Sequence, residues 1–162
     1  MRSGQRRGTT ISIEQRGSAL VTAVRSGASA QVVKLALDNQ AFVNYAEADG
    51  TTACHVACEN GATDLLSLLL EYKASVSLED SMYSTPLDVA LRYGREECIR
   101  LLLAHGADPW TVRSETFEFA EGRAAADPNY SVCLQRLQAH ADGAHGVANS
   151  QAAPASASAA VG

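Results

Sequence analysis

The sequence repeats one pattern at a fixed spacing, which is the distance from Thr52 to Thr85. Several residues recur unchanged at this offset: Thr52, Ala57, Gly61, Leu68, Leu69, Leu70 and Ala74 are followed one period later by Thr85, Ala90, Gly94, Leu101, Leu102, Leu103 and Ala107, and Asp88 stands opposite His55. Self-similarity at a fixed period of this length indicates one supersecondary unit that is stacked on copies of itself. The chain is therefore expected to fold as a stack of repeats.

The second copy of the unit contains the start and stop signals of two short helices. Thr85 is suited to cap the first helix, and Pro86 then occupies the first helical position, where its missing N–H costs nothing. Gly94 is suited to end this helix in the left-handed conformation. A second helix follows, with Ile99 and Leu102 on its apolar face. Two helices of this length cannot bury their apolar faces alone, so neighbouring units have to pack together.

The motif at the start of each unit resembles that of a known family. It reads Thr-Pro-Leu-Asp-Val-Ala at 85–90 and, more loosely, Thr-Ala-Cys-His-Val-Ala at 52–57, with a glycine four residues after each alanine. This is similar to the Thr-Pro-Leu-His-x-Ala signature of the ankyrin repeat. The resemblance implies an all-α solenoid of helix-turn-helix units joined by β-turn-like loops. It also implies that His55 hydrogen-bonds near the turn and fixes the loop geometry, whereas Asp88 departs from the family at this position.

Two further repeats are degenerate. Residues 18–23 stand where the signature belongs in a first repeat, Gly27 ends its first helix, and Val32, Val33, Leu35 and Leu37 supply the apolar face of its second helix. Near the other end, Ser114 is predicted to cap a short helix that reaches about Glu121, and residues 131–137 are predicted to form a second helix, with Val132 and Leu134 standing one period beyond Ile99 and Leu101. We therefore predict an ankyrin-repeat domain at 17–142, with repeats at about 17–45, 46–78 and 79–111 and a capping repeat at 112–142.

Both ends of the chain differ from the repeats in composition. Residues 1–16 carry four arginines and one glutamate, so they contribute +3 to the formal net charge of −5, and the rest of the chain carries −8. Residues 143–162 contain no Asp, Glu, Lys or Arg and are mostly Ala, Ser and Gly. Neither end has the apolar side chains of a core. A disordered basic arm at 1–16 and a disordered tail at 143–162 are predicted.

The composition also indicates a location. No uninterrupted apolar segment has the length of a signal-peptide core or of a membrane span. Structural cysteines imply a reducing compartment, and the folded part lacks the basic patch of a nucleic-acid-binding protein. We expect a monomer in the cytoplasm, or in the nucleus, that binds another protein and contacts neither nucleic acid nor a membrane.

Cysteine and histidine offer a catalytic alternative. Cys54 and Cys58 are one helical turn apart and His55 follows Cys54, but both cysteines align with packed apolar positions and behave there as small hydrophobic side chains. No standard zinc spacing is present, and no Gly-rich phosphate loop is found. Neighbouring residues on a helix point about 100° apart, which disfavours Cys54 and His55 as a nucleophile–base pair. We predict no catalytic, metal or cofactor site, and no cofactor.

The resemblance instead implies binding through interrepeat turns and the exposed side of the first helices, which together form a concave face. Turn positions map to Ala48, Asp49, Thr51, Ser81, Met82, Ser84, Ser114, Glu115 and Phe117. The predicted partner-binding residues are Asp49, Thr51, Glu59, Asn60, Ser81, Met82, Tyr83, Arg92, Tyr93, Arg113 and Glu115.

Aromatic residues near these turns divide into two groups. Tyr83 replaces a glycine that the family prefers, so it is either strained or not in the usual conformation. Trp110 and Phe117 are predicted to pack in the core of the capping repeat, whereas Met82 and Tyr93 are predicted to lie on the binding surface.

Three functions remain, in descending order of support. The first is a non-enzymatic adaptor or regulatory subunit that binds a partner protein. The second is a stoichiometric inhibitor of an enzyme such as a kinase, which would use the same surface. The third is a catalyst that uses Cys54 and His55.

Overall fold

The structure is a computed structural model that describes the backbone of residues 12–149 and the side chains of residues 12–142. Its helices are α1 (Ile13–Arg25), α2 (Ala30–Asp38), α3 (Ala53–Asn60), α4 (Thr63–Glu71), α5 (Pro86–Arg92), α6 (Glu96–Ala104), α7 (Ser114–Ala124) and α8 (Pro128–Asn149), with a short 3₁₀ turn at Pro109–Thr111. The described backbone contains no β-strand and one isolated antiparallel bridge, between Ala46 and Thr52. The predicted all-α solenoid is confirmed.

The helices form two rows. Helices α1, α3, α5 and α7 contact one another in that order, α2, α4, α6 and α8 do the same, and each helix of the first row packs on the helix that follows it. One continuous apolar core runs between the rows from Leu20 to Leu137. The leucines at its centre, among them Leu66, Leu91 and Leu102, are fully buried. Each repeat thus buries its apolar faces against its neighbours, as its short helices require.

Side chains from each following repeat tie the first-row helices together. The side-chain amide of Asn60 donates to the carbonyl oxygen of Val24 at 3.4 Å, and the Arg95 guanidinium donates to that of Glu59 at 3.2 and 3.3 Å. The Tyr130 hydroxyl donates to the carbonyl oxygen of Arg92 at 2.8 Å. Because the last carbonyl groups of a helix have no partner within it, these bonds satisfy groups that the helix itself leaves open.

Gly94 leaves the space that Tyr130 fills. Its φ is +62°, the left-handed conformation predicted for the end of this helix. A Cβ atom built at Gly94 would lie 3.1 Å from the Tyr130 ring. A side chain at this position would therefore be strained by its backbone conformation and would also crowd the ring.

The helical part extends beyond the predicted domain at both ends. Ser12 caps α1 in a capping box with Gln15, so residues 13–16 of the predicted arm are helical. Helix α8 continues to Asn149, so residues 143–149 of the predicted tail are helical too. The rest of the predicted arm and tail, residues 1–11 and 150–162, lies outside the described residues. None of the helices in the described backbone combines the length and apolarity needed to cross a membrane.

The terminal repeats also depart from the predicted register. In α2, Val33 and Leu37 are buried, whereas Val32 and Leu35 are 52% and 62% exposed, because the described chain has no preceding repeat whose second helix would cover them. In α8 the buried side chains are Tyr130, Cys133, Leu137 and Ala141. Val132, which stands one period beyond the buried Ile99, is exposed, and Leu134 is half-buried. The period of the central repeats therefore does not extend to the last helix, because α7 and its connections differ in length from those of the central repeats.

Candidate functional site

Two hairpin-like turns, which we call fingers, precede α3 and α5. The first finger comprises residues 46–52 and is closed by hydrogen bonds of 2.9 Å from the Glu47 amide to the Thr51 carbonyl and from the Gly50 amide to the Glu47 carbonyl. The Thr51 amide also donates to the Asp49 carboxylate at 3.0 Å, and this hydrogen bonding lowers the pKa of Asp49. Asp49 is exposed at the tip and Thr51 is half-buried. The first finger thus holds its own shape.

The second finger comprises residues 79–85 and closes in a similar way. The Tyr83 amide donates to the Asp80 carbonyl at 2.9 Å, and the Asp80 amide donates to the Ser84 carbonyl at 3.0 Å. The Asp80 carboxylate accepts from the amides of Met82 and Ser84 at 2.8 and 2.9 Å. At the tip, Met82 is 59% exposed and Tyr83 is 73% exposed. A rigid loop therefore presents two large side chains to solvent.

His55 joins the second repeat to the second finger. Its Nδ1 accepts from the Thr52 amide at 3.2 Å and lies 2.9 Å from the Thr52 hydroxyl, so the proton is assigned to Nε2, which donates to the Ser84 carbonyl at 2.9 Å. Burial lowers the pKa of His55, which keeps the imidazole neutral at pH 7. The Ser81 amide adds a second link by donating to the Asp49 carbonyl at 2.8 Å. The loop-fixing role expected of His55 is confirmed.

Asp88 stands at the equivalent position of α5 and reverses the direction of the hydrogen bond to the next repeat. Its Oδ2 accepts from the amide and hydroxyl of Thr85 at 3.1 and 2.9 Å, and its Oδ1 accepts from the Arg113 amide at 2.9 Å. The carboxylate is fully buried. Where His55 donates to a carbonyl of the following repeat, Asp88 accepts from an amide.

The third interrepeat connection has no finger. Helices α3 and α5 begin one full repeat period apart, whereas α7 begins before a full period has passed since the start of α5, so this connection is shorter. The expectation that Ser114, Glu115 and Phe117 form a third turn is wrong, because these residues already belong to the first turn of α7. Ser114 is not the cap of this helix either, since Arg113 precedes it as the N-cap residue. Glu115 is highly exposed on the helix surface.

Arg113 occupies the place of the missing finger. Its Nη1 donates to the Met82 carbonyl at 3.0 Å, and its Nε lies 3.9 Å from the Asp88 carboxylate. Met82 is the repeat equivalent of Asp49, whose carbonyl accepts from the amide of Ser81 in the next finger. The guanidinium of Arg113 thus replaces a backbone amide, and this predicted binding residue is largely committed to the junction.

The missing finger also explains how a tyrosine fits at position 83. Tyr83 has a φ of +58°, and the equivalent Gly50 of the first finger has +79°. A Cβ atom at Gly50 would lie 2.8 Å from the Asp80 Cα in the second finger, so only glycine fits there. Tyr83 is instead 73% exposed, and no finger follows it in the described part of the chain, because the third connection is short. Of the two alternatives predicted for Tyr83, strain in the left-handed conformation is the one observed, and a residue with a side chain costs about 1–2 kcal/mol there.

The ends of α3 and α5 carry four predicted binding residues, of which Glu59 and Tyr93 contact each other. The Tyr93 hydroxyl donates to the Glu59 carboxylate at 3.2 Å, and partial burial is the main cause that raises the pKa of Tyr93. Arg92 Nη2 donates to the Ser84 hydroxyl at 3.2 Å, which ties the helix to the second finger. Asn60 is exposed, but its side-chain amide donates to the Val24 carbonyl.

The thiol and imidazole groups lack the properties of a catalytic pair. Cys54 is 1% exposed, and burial raises the pKa of its thiol to about 12, so the thiol is protonated at neutral pH. Both nitrogens of His55 are hydrogen-bonded within the junction. Among the described residues, no cluster of three or more His, Cys, Asp or Glu side chains is suited to hold a metal ion.

Two aromatic features of the last repeat differ from expectation. Phe117 is half-buried against the core, as predicted, but Trp110 is 63% exposed because the 3₁₀ turn carries it at the surface. A cluster that sequence reasoning missed lies on α7 and α8: the Arg123 guanidinium lies 5.8 Å from the centre of the Phe119 ring and 5.4 Å from that of Tyr130. The spacing of four residues between Phe119 and Arg123 was the available signal.

Comparison with known proteins identifies the repeats. The family described as ankyrin repeats matches residues 14–113 in three copies, and this confirms the resemblance seen in the motifs. The match ends immediately before α7, so α7 and α8 lie outside it.

Relatives share the repeats but are much longer. The chain is 37% identical over 108 residues to human BCL-6 corepressor-like protein 1, which covers 65% of the chain and 6% of the relative. It is 39% identical over 75 residues to Serine/threonine-protein kinase 12 of Arabidopsis thaliana, covering 46% of the chain and 16% of the relative. It is also 39% identical over 70 residues to Protein phosphatase 1 regulatory subunit 12A of Mus musculus, covering 43% and 7%. The chain thus spans less than a fifth of the length of each.

Proposed function

The chain belongs to the ankyrin-repeat family of protein-interaction modules, and from this premise we propose that it is a non-enzymatic adaptor or regulatory subunit that binds a partner protein. The proposed site is the concave face formed by the interrepeat turns and first helices. We call it the finger surface and define it as Asp49, Thr51, Ser81, Met82 and Tyr83 on the fingers with Glu59, Asn60, Arg92 and Tyr93 at the ends of α3 and α5.

One observation carries this proposal, namely the tip of the second finger. Tyr83 is 73% exposed and held in a left-handed conformation that glycine adopts without cost, and Met82 beside it is 59% exposed. Exposed aromatic and Met side chains on a rigid loop are typical of protein-binding surfaces. Backbone strain that persists at an exposed position supports a functional role for the side chain.

The rest of the finger surface supports the same reading. Tyr93 is 43% exposed and is oriented by Glu59, so a second aromatic side chain is available at the end of α5. Ordered side chains lose little conformational entropy when a partner binds. Two relatives are named a regulatory subunit of a phosphatase and a corepressor-like protein, which favours a regulatory role for this chain as well.

Affinity capture with a matched pair of variants tests the proposal. The full chain, a Met82→Ser/Tyr83→Gly variant and a Val32→Ser/Leu35→Ser variant would each be used to capture proteins from the native cell, with quantitative mass spectrometry. The control pair on α2 is also more than half exposed but lies outside the finger surface. We expect at least one protein to bind the full chain and the control and to be depleted roughly tenfold with the finger variant, the scale of hot-spot loss.

Unfolding of the three proteins has to be compared at the same time. We expect similar thermal transitions, because all four substitutions are at exposed positions. If the finger variant captures the same proteins in the same amounts as the full chain, the finger surface is not the binding site.

The alternative, a stoichiometric inhibitor of an enzyme such as a kinase, uses the same surface. It is distinguished by the activity of the captured partner, which an inhibitor abolishes at a 1:1 ratio and an adaptor leaves intact.

We also propose a cytoplasmic or nuclear location. All four cysteines of the chain are free and buried. Unpaired structural cysteines favour a reducing compartment. Imaging of a tagged full chain in its native cell tests this location, and a vesicular or secreted signal would contradict it.

A further inference from the structure

A groove of about 490 Å³ opens between the Pro109–Thr111 turn, α7 and α8, on residues that the finger surface does not use. Its floor is apolar, with Val112 and Phe117 half-buried and Leu137 buried. Trp110 stands at its edge with 63% of its surface exposed. A concave apolar surface of this volume with an exposed tryptophan has the dimensions of a site for one or two large side chains.

The rim of the groove is acidic. Glu118 and Glu121 line it from α7, and Asp142 lines it from α8. None of the three takes part in an ion pair among the described residues, whereas the neighbouring Arg113 and Arg136 are committed to Asp88 and Glu96 outside the groove. The lining contains no Lys or Arg. The rim therefore carries negative charge that forms no ion pair with the side chains that the structure describes.

These two properties define a ligand. We propose that this cap groove, formed by Trp110, Val112, Phe117 and Leu137 with the rim of Glu118, Glu121 and Asp142, binds a protein segment in which a large apolar side chain is flanked by Lys or Arg. The apolar side chain fills the floor against Trp110, and the cations pair with the rim. An acidic segment or a nucleic acid is disfavoured, because it would place like charges beside the rim.

The cap groove is a second site, independent of the finger surface. The two surfaces share no residue, and most of the groove lies on α7 and α8, which the family match does not cover. A chain with both sites would bind two segments at once and hold them at a fixed separation. This is how an adaptor raises the effective concentration of one partner near another.

Trp110 provides a direct readout, because it is the only tryptophan of the chain. A random dodecapeptide display library would be selected on the immobilised full chain, and enriched tryptophan-free peptides would be synthesised and titrated while Trp110 fluorescence is followed. We expect the enriched peptides to combine Leu, Phe or Met with Lys or Arg and to shift the Trp110 emission. Enrichment of acidic or uncharged peptides, or binding without any change in Trp110 emission, would overturn the proposal.

Charge reversal separates the groove from general electrostatic attraction. Glu118→Lys/Glu121→Lys is expected to weaken peptide binding roughly tenfold or more, with a smaller difference at high salt. Glu14→Lys/Glu71→Lys, an exposed pair elsewhere, changes the net charge equally and is expected to leave binding within about twofold. Equal losses of peptide affinity in both variants would show that the peptide is attracted to the whole acidic chain, and they would refute specific binding in the cap groove.

Two other occupants of the cap groove, a segment of the chain itself and a second copy of the chain, are tested on the protein without peptide. We expect acrylamide to quench Trp110 readily at all protein concentrations, with a monomeric mass by light scattering. Protection at every concentration would mean that a segment of the chain itself fills the groove, and protection that grows with dimer mass would mean that a second copy does. Either result overturns the proposal. Retained peptide binding in Met82→Ser/Tyr83→Gly is expected, and it holds whether or not the finger surface binds a partner.

Discussion

The junction of the second and third repeats and the junction of the third and fourth repeats use one helix position in opposite ways. At the first, neutral His55 donates to the Ser84 carbonyl in the second finger. At the second, Asp88 accepts from the Arg113 amide, and no finger is present. Both side chains also accept from the threonine that starts their own helix. The comparison shows that the position requires a buried polar group with a complementary partner, and that the following connection decides which polarity fits.

Removal of the carboxylate should have the largest effect. Asp88→Ala leaves the amides of Thr85 and Arg113 and the Arg113 guanidinium without their buried acceptor. We expect a loss of about 3–5 kcal/mol in the free energy of unfolding, as for a broken buried charge pair. His55→Ala leaves neutral groups unpaired and should cost only about 1–3 kcal/mol. Urea unfolding measures both losses, provided that the slope m of the free energy of unfolding against urea is the same in all variants. Equal losses would show that the two junctions are energetically alike.

Gly50 tests the contact between the two fingers. Gly50→Ala places a Cβ 2.8 Å from the Asp80 Cα and requires a left-handed residue with a side chain, so we expect a loss of about 2 kcal/mol or more. Gly106→Ala is the matched control, because its φ is +86° and nothing lies within 4 Å of the new Cβ. The difference between the two variants isolates the finger contact. If both lose the same stability, the fingers are not in close contact.

A pH titration should affect only the histidine junction. Because burial lowers the pKa of His55 below its ordinary value, the unfolded chain binds a proton that the folded chain rejects. The stabilisation that depends on neutral His55 is therefore fully present above pH about 6.5. It falls as the pH is lowered toward the folded-state pKa, by at most about 1.4 kcal/mol per pH unit. Urea midpoints between about pH 7.5 and about pH 5 measure this loss. In His55→Gln the pH-dependent part of the free energy of unfolding should shrink. An unchanged pH profile would show that other groups cause the dependence.

Tyr83 should give the smallest effect on stability, with the opposite sign. Tyr83→Gly relieves the left-handed strain but increases the freedom of the unfolded chain, so we expect a gain of about 0.5 kcal/mol. Thermal or urea unfolding measures the gain. A loss above about 1 kcal/mol would show that the Tyr83 side chain stabilises the second finger through its own contacts.

The central repeats were predictable because their signals are local. Thr85 caps α5 and accepts from the Asp88 amide, Pro86 begins the helix, and Gly94 adopts the left-handed conformation that ends it. The fully buried Leu102 also follows from the helical period. These outcomes depend on residues within one or two turns of each other, so the sequence pattern contains what is needed.

The last repeat was predicted less well, because its geometry depends on distant partners. The repeat period placed Val132 inward, but the shorter connection and longer α7 move the buried positions to Cys133 and Leu137. Nothing near Arg113 in the sequence indicates that its guanidinium reaches the Met82 carbonyl. The exposure of Trp110 follows from the same short connection. For the finger surface, the residue types could be predicted, whereas the contacts that hold Arg92 and Tyr93 could not.

The acceptor at position 88 has a consequence for how such an array can lengthen during evolution. After a tandem duplication of residues 46–78, the histidine of the first copy would face the finger that begins the second copy, and the Thr51 carbonyl of that finger would accept as the Ser84 carbonyl does. A duplication of residues 79–111 would instead set the Asp88 oxygen against the carbonyl of the inserted finger, two electron-rich atoms with no hydrogen between them. Duplication can therefore add repeats before Asp88 but not directly after it, so the carboxylate sets the position at which the array of finger-bearing repeats ends.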